Sequence, residues 1–234
     1  MQKLFQNDIS LNKETHVYSL KDKPHVLFKS VTTFIGSFFD EFNPPKVAEK
    51  LIRTNIKYMH YTPEQLMREW TAAADYGTLV HEEIENYINF KTPMKEKKSV
   101  NGAEWLENYC IKSDFEIYSE VMVYSEELGL AGTIDLLLFD KNSSKYSIMD
   151  WKTSKRISMR AYKNKKGTHH LTSHIDDCNF NHYSLQLSLY KYILETYYGI
   201  EVSDHLIIHL MEDSTKAYHT SYMKNEILSL IGKN

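Results

Sequence analysis

The feature that most constrains this chain is a change of hydrophobic period in its middle. Three short runs rich in β-formers, Ile117–Tyr124, Leu130–Phe139 and Tyr146–Trp151, follow one another across the turn signals Glu126-Glu127-Leu128-Gly129 and Lys141-Asn142-Ser143-Ser144. Connections this short join only antiparallel neighbours, so the runs are expected to form a three-stranded meander. Pairing Phe139 with Tyr146 sets Asp135 opposite Asp150, and pairing Ser125 with Leu130 sets Glu120 opposite Asp135. Three acids then lie in one row across three strands. Period two also puts Asp150 and Lys152 on one face and turns Trp151 to the other.

Like charges facing each other destabilise a sheet unless a cation sits among the oxygens, so the row predicts a divalent metal. Hard oxygen donors suit magnesium or manganese, and an imidazole from His81 would tilt the preference toward manganese. A metal so placed would bind a scissile phosphate, acidify a coordinated water and stabilise charge at phosphorus, which makes phosphodiester hydrolysis the matching reaction. Lys152 could orient that water, take its proton or balance the developing charge. An acid two residues before a lysine also occurs by chance, as in Glu96-Lys97-Lys98, but that copy lies in a polar linker. Asp150-Trp151-Lys152 instead ends an apolar strand at hairpin distance from Gly132-Thr133-Ile134-Asp135.

Elsewhere the periodicity is helical. Pro63–Phe90 reads as two helices broken or kinked near Gly77, with His81 and Glu85 on one face. A polar connection, Lys91–Asn101, leads to a short helix around Glu104–Ile111. Asn181–Tyr198 is a helix ending at Gly199, His205–Met211 a further strand, and Tyr222–Ile231 a terminal helix. In the first 60 or so residues, Asn43-Pro44-Pro45 interrupts any regular element, which suggests an N-terminal elaboration.

Composition narrows the classes. With 42% hydrophobic and 25% charged residues the chain is expected to be globular, and 234 residues suit one domain with some elaboration. Cys110 and Cys178 cannot by themselves build a four-thiolate site, so no iron–sulfur cluster is expected. The start lacks the apolar core of a signal peptide, and no run reaches the roughly 18 apolar residues of a membrane span, which makes a cytoplasmic location the default. A net charge of −3 argues that any contact with nucleic acid is local. The local candidate follows Trp151: no acid occurs before Ile175, while Lys155, Arg156, Arg160, Lys163, Lys165 and Lys166 give a basic track, with Tyr162 available for stacking.

Gly77-Thr78-Leu79-Val80-His81, Gly132-Thr133-Ile134-Asp135, Asp150-Trp151-Lys152-Thr153 and Gln186-Leu187-Ser188-Leu189-Tyr190 together resemble the RecB-like branch of the PD-(D/E)XK nucleases. Within that branch the likeness is to standalone phage-type nucleases and mitochondrial genome maintenance exonucleases. It spans Gly77 to Leu210, with a looser match at Ser30-Val31-Thr32-Thr33. The resemblance implies an α/β restriction-endonuclease-like core of order αβββαβ around a mixed central sheet, with N-terminal helical additions. It divides a single nuclease domain, 1–234, into an N-terminal elaboration (1–70), a catalytic core (71–212) and a C-terminal extension (213–234). It also implies metal ligation by His81, Asp135, Asp150 and the Trp151 carbonyl, a catalytic Lys152 acting with Asp135 and Asp150, and Gln186 and Tyr190 bordering the site. Aspartate stands at 150, where the superfamily also uses glutamate.

The expected activity is magnesium- or manganese-dependent hydrolysis of DNA, by an exonuclease or flap-trimming enzyme in recombination, repair or replication. The alternatives are a structure-specific endonuclease and a non-catalytic DNA-binding module. No phosphate-binding loop of the Gly-x-x-x-x-Gly-Lys type occurs, so strand opening would need a separate helicase or recombination partner. Glu85 and Glu120 are candidates for supporting groups beside the metal. Each residue also has a plainer reading: Glu85 and Glu120 as solvated acids, Tyr190 as core, the basic track as an ordinary loop. His169, His170, His174, Cys178 and His182 admit a zinc-organised alternative, with loose spacing.

Overall fold

The computed structural model describes Leu4 and residues 8–233. The meander forms in the expected register: β4 (Phe115–Ser125), β5 (Leu130–Asp140) and β6 (Lys145–Lys152) pair antiparallel, with Ser125 opposite Leu130 and Phe139 opposite Tyr146. β7 (Val202–Leu210) lies parallel to β6 and carries β8 (Thr215–His219) on its far edge. β4 occupies one edge of β5 along its length. The other edge is shared: β6 pairs with Leu136–Asp140, whereas the short parallel β3 (Lys29–Ser30) pairs with Leu130 and Ala131. Residues 132–135 of β5 thus face a fork between β3 and β6.

Helices flank this mixed sheet. On one face α1 (Val31–Gly36), α5 (Asn179–Ile193) and α6 (Lys224–Leu230) enclose the larger core, built on Ile134, Leu137, Ile148, Leu185, Leu189 and Ile207. On the other, α3 (Pro63–Phe90) and α4 (Lys97–Cys110) cover Leu136, Leu138, Met149, Trp151, Leu206 and Ile208. The hairpin of β1 (Ile9–Asn12) and β2 (Val17–Leu20) closes the rest of that face over Tyr124 and Ala131. α2 (Pro44–Thr54) packs against α3. Among the described residues no helix is long and apolar enough to cross a membrane.

Several elements differ from the sequence reading, each for a local reason. The stretch 63–90 is one helix, started by a Thr62–Gln65 capping box with Pro63 at its first position, and Gly77 does not break it. A Cβ at Gly77 would stand 2.9 Å from Thr153 Oγ1, so the glycine serves close approach of α3 to the chain leaving β6. α4 begins at Lys97 rather than near Glu104, because the Glu83 carboxylate accepts the Lys95 and Glu96 N–H groups and orders the turn before it. Asn43-Pro44-Pro45 starts a helix: Asn43 caps α2, and proline suits a first turn whose N–H groups lack helical partners. The N-terminal addition is a β-hairpin and strand β3 as well as helices, and β8 is an unanticipated edge strand.

α5 is buried almost all round, from Ser184 to Tyr190, and continues into a π-turn, Leu194–Tyr198, before the left-handed Gly199. Its packing is tightest at β5: a Cβ on Gly132 would lie 2.5 Å from the Tyr190 hydroxyl and 2.6 Å from its ring. Gly132→Ala is therefore expected to lower stability by about 1–3 kcal/mol through overpacking. Tyr190→Leu in the same chain should recover part of that loss. Urea unfolding of the two single variants and the double variant reads the coupling, and strict additivity would refute the contact.

Candidate metal centre and active-site cleft

The expected acidic row forms only in part: neither Glu120 with Asp135 nor Asp135 with Asp150 is a ladder pair. Glu120 and Asp135 come together with His81, and Asp150 lies in a neighbouring cleft because β5 and β6 part after Leu136–Met149. Regular pairing holds on both sides of Glu120 and Asp135, at Ser119 with Leu136 and at Val121 with Ile134, but not at the pair itself. Glu120 takes a left-handed backbone (φ 51°), which for a residue with a long side chain costs about 1–3 kcal/mol. The strand alternation slips there. Leu130 and Ile134 face α5 and so does Leu137, while Leu136 and Leu138 face α3; on β4, Val121 and Tyr118 face α5 and Ile117 faces α3. Asp135 sits at the slip and lines two adjoining clefts.

The first cleft, about 460 Å³, lies under the β1–β2 turn and is lined by Lys13, His16, Gly77, His81, Glu85, Glu120 and Asp135, among others. His81, Glu120 and Asp135 each offer one ligand atom, and these three atoms lie within 4.8 Å of one another. They form a candidate metal-binding triad. His81 Nδ1 is 3.5 Å from Asp135 Oδ2, which also accepts the Trp151 N–H at 2.8 Å. This last bond replaces backbone pairing beyond Leu136–Met149, where β5 and β6 begin to separate. Glu85, one turn past His81, lines the same cleft outside the triad.

The second cleft, about 410 Å³, is the fork itself, lined by Tyr18, Ser30, Thr32, Thr133, Asp135, Asp150, Lys152, Tyr183, Gln186 and Tyr190 among others. Asp150 is buried and makes an ion pair with Lys152, while its Oδ1 accepts from Gln186 Nε2 at 3.3 Å. The Lys152 ammonium lies 4.7 Å from the centre of the Tyr183 ring. Tyr183, Gln186 and Tyr190 share a face of α5, at the spacing that brings residues three and four apart together. Tyr183 was missed as a site residue; its place in the aromatic stripe hid it, although it lies three residues before Gln186 on that face. Glu120 was also undervalued, because nothing in a period-two strand announces a left-handed residue.

The electrostatics follow from crowding. The Glu120 carboxyl is pushed from 4.5 to about 8 by burial first, then by Asp135 and Glu85. Burial raises Asp150 to about 6, against the pull of Lys152 and with a further push from Asp135. Burial disfavours the Lys152 charge, but Asp150 and Asp135 outweigh it and hold the lysine above its ordinary value. Crowded carboxylates beside an imidazole are a donor set that a divalent cation would relieve, and their hard oxygens fit magnesium or manganese.

The basic segment divides in two. Lys165 pairs with Asp40 at 2.8 Å and Asp177 at 2.9 Å, and Lys166 pairs with Asp176, so these two lysines tie the segment down. Lys155, Arg156, Arg160 and Lys163 are exposed and make no ion pair among the described residues. Arg156, Arg160 and the exposed Tyr162 line a separate cleft of about 570 Å³ that also holds Asp177 but no acid cluster. The histidine-rich stretch disperses. His182 binds Asp177, His169 caps a short turn at Leu171, His174 approaches Glu226, and Cys178 is buried at the start of α5. Among the described residues no group of three metal-ligating side chains forms there.

No protein-family model and no curated protein sequence matches the chain. Among solved structures, that of SSO0001 is similar at a TM-score of 0.39 and 12% identity, over 88% of this chain and 73% of the other. That of a proposed exonuclease from Eubacterium rectale is similar at a TM-score of 0.35 and 13% identity, over 95% and 82%. Both likenesses are distant.

The raised Glu120 group has a measurable consequence. The folded chain keeps this proton between 4.5 and about 8, where the unfolded chain releases it, so stability falls as pH rises through that window. In EDTA, the thermal midpoint of the wild-type chain should therefore drop more steeply with pH than that of Glu120→Gln, and manganese should flatten the wild-type slope. Identical slopes for the two chains without metal would remove the electrostatic argument for the triad.

Proposed function

We propose that this chain is a divalent-metal-dependent deoxyribonuclease, a PD-(D/E)XK enzyme of the RecB-like branch with residues 1–234 forming one nuclease domain. It hydrolyses phosphodiester bonds at DNA ends or flaps. The observation that supports this best is the position of Asp135, shared between the triad with His81 and Glu120 and the fork that holds Asp150 and Lys152.

His81, Glu120 and Asp135 would hold magnesium or manganese; the sequence resemblance implies His81 and Asp135 with Asp150 and the Trp151 carbonyl, and Glu120 is the structure's addition to that set. When bound, such an ion supplies Lewis-acid polarisation of a phosphoryl oxygen and a more acidic water. The remaining work falls to the chain itself. The Trp151 N–H fixes Asp135, and the Gln186 amide orients Asp150. Lys152, kept charged by its acidic neighbours, offers an ammonium where negative charge grows on a phosphoryl group. The Tyr183 ring limits where that ammonium can swing. Lys155, Arg156, Arg160 and Lys163 follow directly on the strand that ends in Lys152, so they would take backbone phosphates next to the cut. Duplex opening, where needed, would come from a separate helicase or recombination partner.

End-labelled linear, circular, single-stranded and flapped DNA, incubated with magnesium or manganese, tests this reading. Cutting should require a free end or flap, and Asp150→Asn, Lys152→Ala and Glu120→Gln should each reduce it about 100-fold or more while the proteins stay folded. Undiminished cutting by folded Asp150→Asn and Lys152→Ala chains would overturn the assignment.

A further inference from the structure

The second half of β7, Leu206–Leu210, is apolar with one exception. Leu206, Ile207, Ile208 and Leu210 are all buried and hydrophobic, yet His209 between them is only 3% exposed. Its Nδ1 is buried without a hydrogen-bond partner. A leucine or isoleucine would fill this place without an unsatisfied nitrogen, so packing does not account for the imidazole. The other ring nitrogen does: Nε2–H donates to the Ser154 carbonyl at 2.6 Å.

The location of that bond matters. The parallel ladder between β6 and β7 ends at the pair Lys152 and His209, after which β7 turns its pairing to β8 alone, at Leu210 with Thr215. Beyond Lys152 the chain has lost its strand partner, and the His209 side chain takes over where the backbone ladder stops. Two further contacts act on the residue before Ser154. Lys98 on α4 donates to the Thr153 carbonyl at 3.1 Å, and α3 closes against Thr153 through Gly77. Consecutive carbonyls after Lys152 are thus each held by a side chain from a different element.

We propose that His209 is a positioning residue for Lys152: through the Ser154 carbonyl it extends the β6 strand two residues past the lysine and so fixes where the ammonium emerges. Lys98 acts in the same way one residue earlier. The proposal rests on the nuclease reading only for its effect on rate. Its structural content, the holding of residues 153–154, is independent of any activity.

Two measurements on the full-length chain test it. In amide hydrogen exchange without metal, His209→Leu should raise exchange across Thr153–Arg156 and leave β4 and β5 protected. In DNA cutting with manganese, His209→Leu should lower kcat about 10- to 100-fold, as expected for a misplaced catalytic group, with KM and manganese affinity unchanged. His209→Gln, whose amide can reach the same carbonyl, should restore both. Lys98→Met removes the companion bond without opening the core and should reproduce both effects more weakly, so it decides the matter if His209→Leu does not fold. Unchanged exchange in His209→Leu, or in Lys98→Met where that variant decides, overturns the proposal, as does equal impairment of the leucine and glutamine variants with a lowered thermal midpoint. A wild-type chain that does not cut, or a Lys152→Ala chain that cuts normally, removes instead the nuclease reading. Altered exchange in His209→Leu would still stand in that case, now as a strand-end clamp without a catalytic consequence.

Discussion

Two carboxylates and an imidazole held within 4.8 Å of one another are the constraint around which the rest of this molecule is arranged. Left to themselves, Glu120 and Asp135 would repel across the sheet, and β4 could relax by slipping register. It does not, because the ladder is pinned on both sides by apolar pairs, Val121–Ile134 in one core and Ile117–Leu138 in the other. The mismatch is absorbed at one residue, Glu120, in a left-handed backbone. That local cost has a structural return: the alternation inverts, and Asp135 is presented to both clefts instead of one. A metal bound there would draw on an acid already raised to about 8, so it would have to displace a proton as it bound.

Each layer contributes one wall to this arrangement. α3 brings His81 and Glu85 to the Glu120 side, and Gly77 lets that helix come close enough to touch the chain after β6. α5 brings Tyr183, Gln186 and Tyr190 to the Lys152 side, and Gly132 lets its Tyr190 seat against β5. The polar groups that this burial would strand are satisfied locally: Ser184 donates to the Phe180 carbonyl, Ser188 accepts the Met223 N–H, and Gln186 donates to Asp150. The fork exists because β3 claims the start of one edge of β5 and β6 claims its end, leaving residues 132–135 unpaired on that side. The unpaired edge is where the chemistry can sit.

Much of this was legible in the amino-acid order because hairpin registers propagate. Two turn signals sufficed to fix the hairpin registers that bring Glu120 near Asp135, and period two sufficed to set Lys152 beside Asp150, whereas the parting of β5 and β6 before Asp150 left no trace in the turns. The helices were legible where caps and stripes agreed, as at Thr62-Pro63 and in 181–198. What escaped the reading was long-range or conformational. Gly77 looked like a break because local propensity disfavours glycine in a helix, and only the distant Thr153 explains it. Glu120 was legible as a member of the acidic row, but its left-handed backbone was not, because a positive φ has no signature in a glutamate. β8 and the N-terminal hairpin pair with neighbours in the chain, but their strands are only four or five residues long, and short strands carry little periodicity.

The basic segment shows how folding redistributes a charge pattern that looks uniform in sequence. From Trp151 to Ile175 the chain contains no acid, which suggests a continuous positive band. Folding brings Asp40, Asp176 and Asp177 onto Lys165 and Lys166, so the far end of the band is neutralised and the segment is tied to the start of α5 and the loop after α1. The cations left exposed, Lys155, Arg156, Arg160 and Lys163, lie on the part that follows Lys152 most closely. In a chain of net charge −3 an attractive field for a polyanion has to be local, and the pairing confines the unpaired cations of this segment to its first part. The same three acids therefore mark where the exposed part of the basic segment ends.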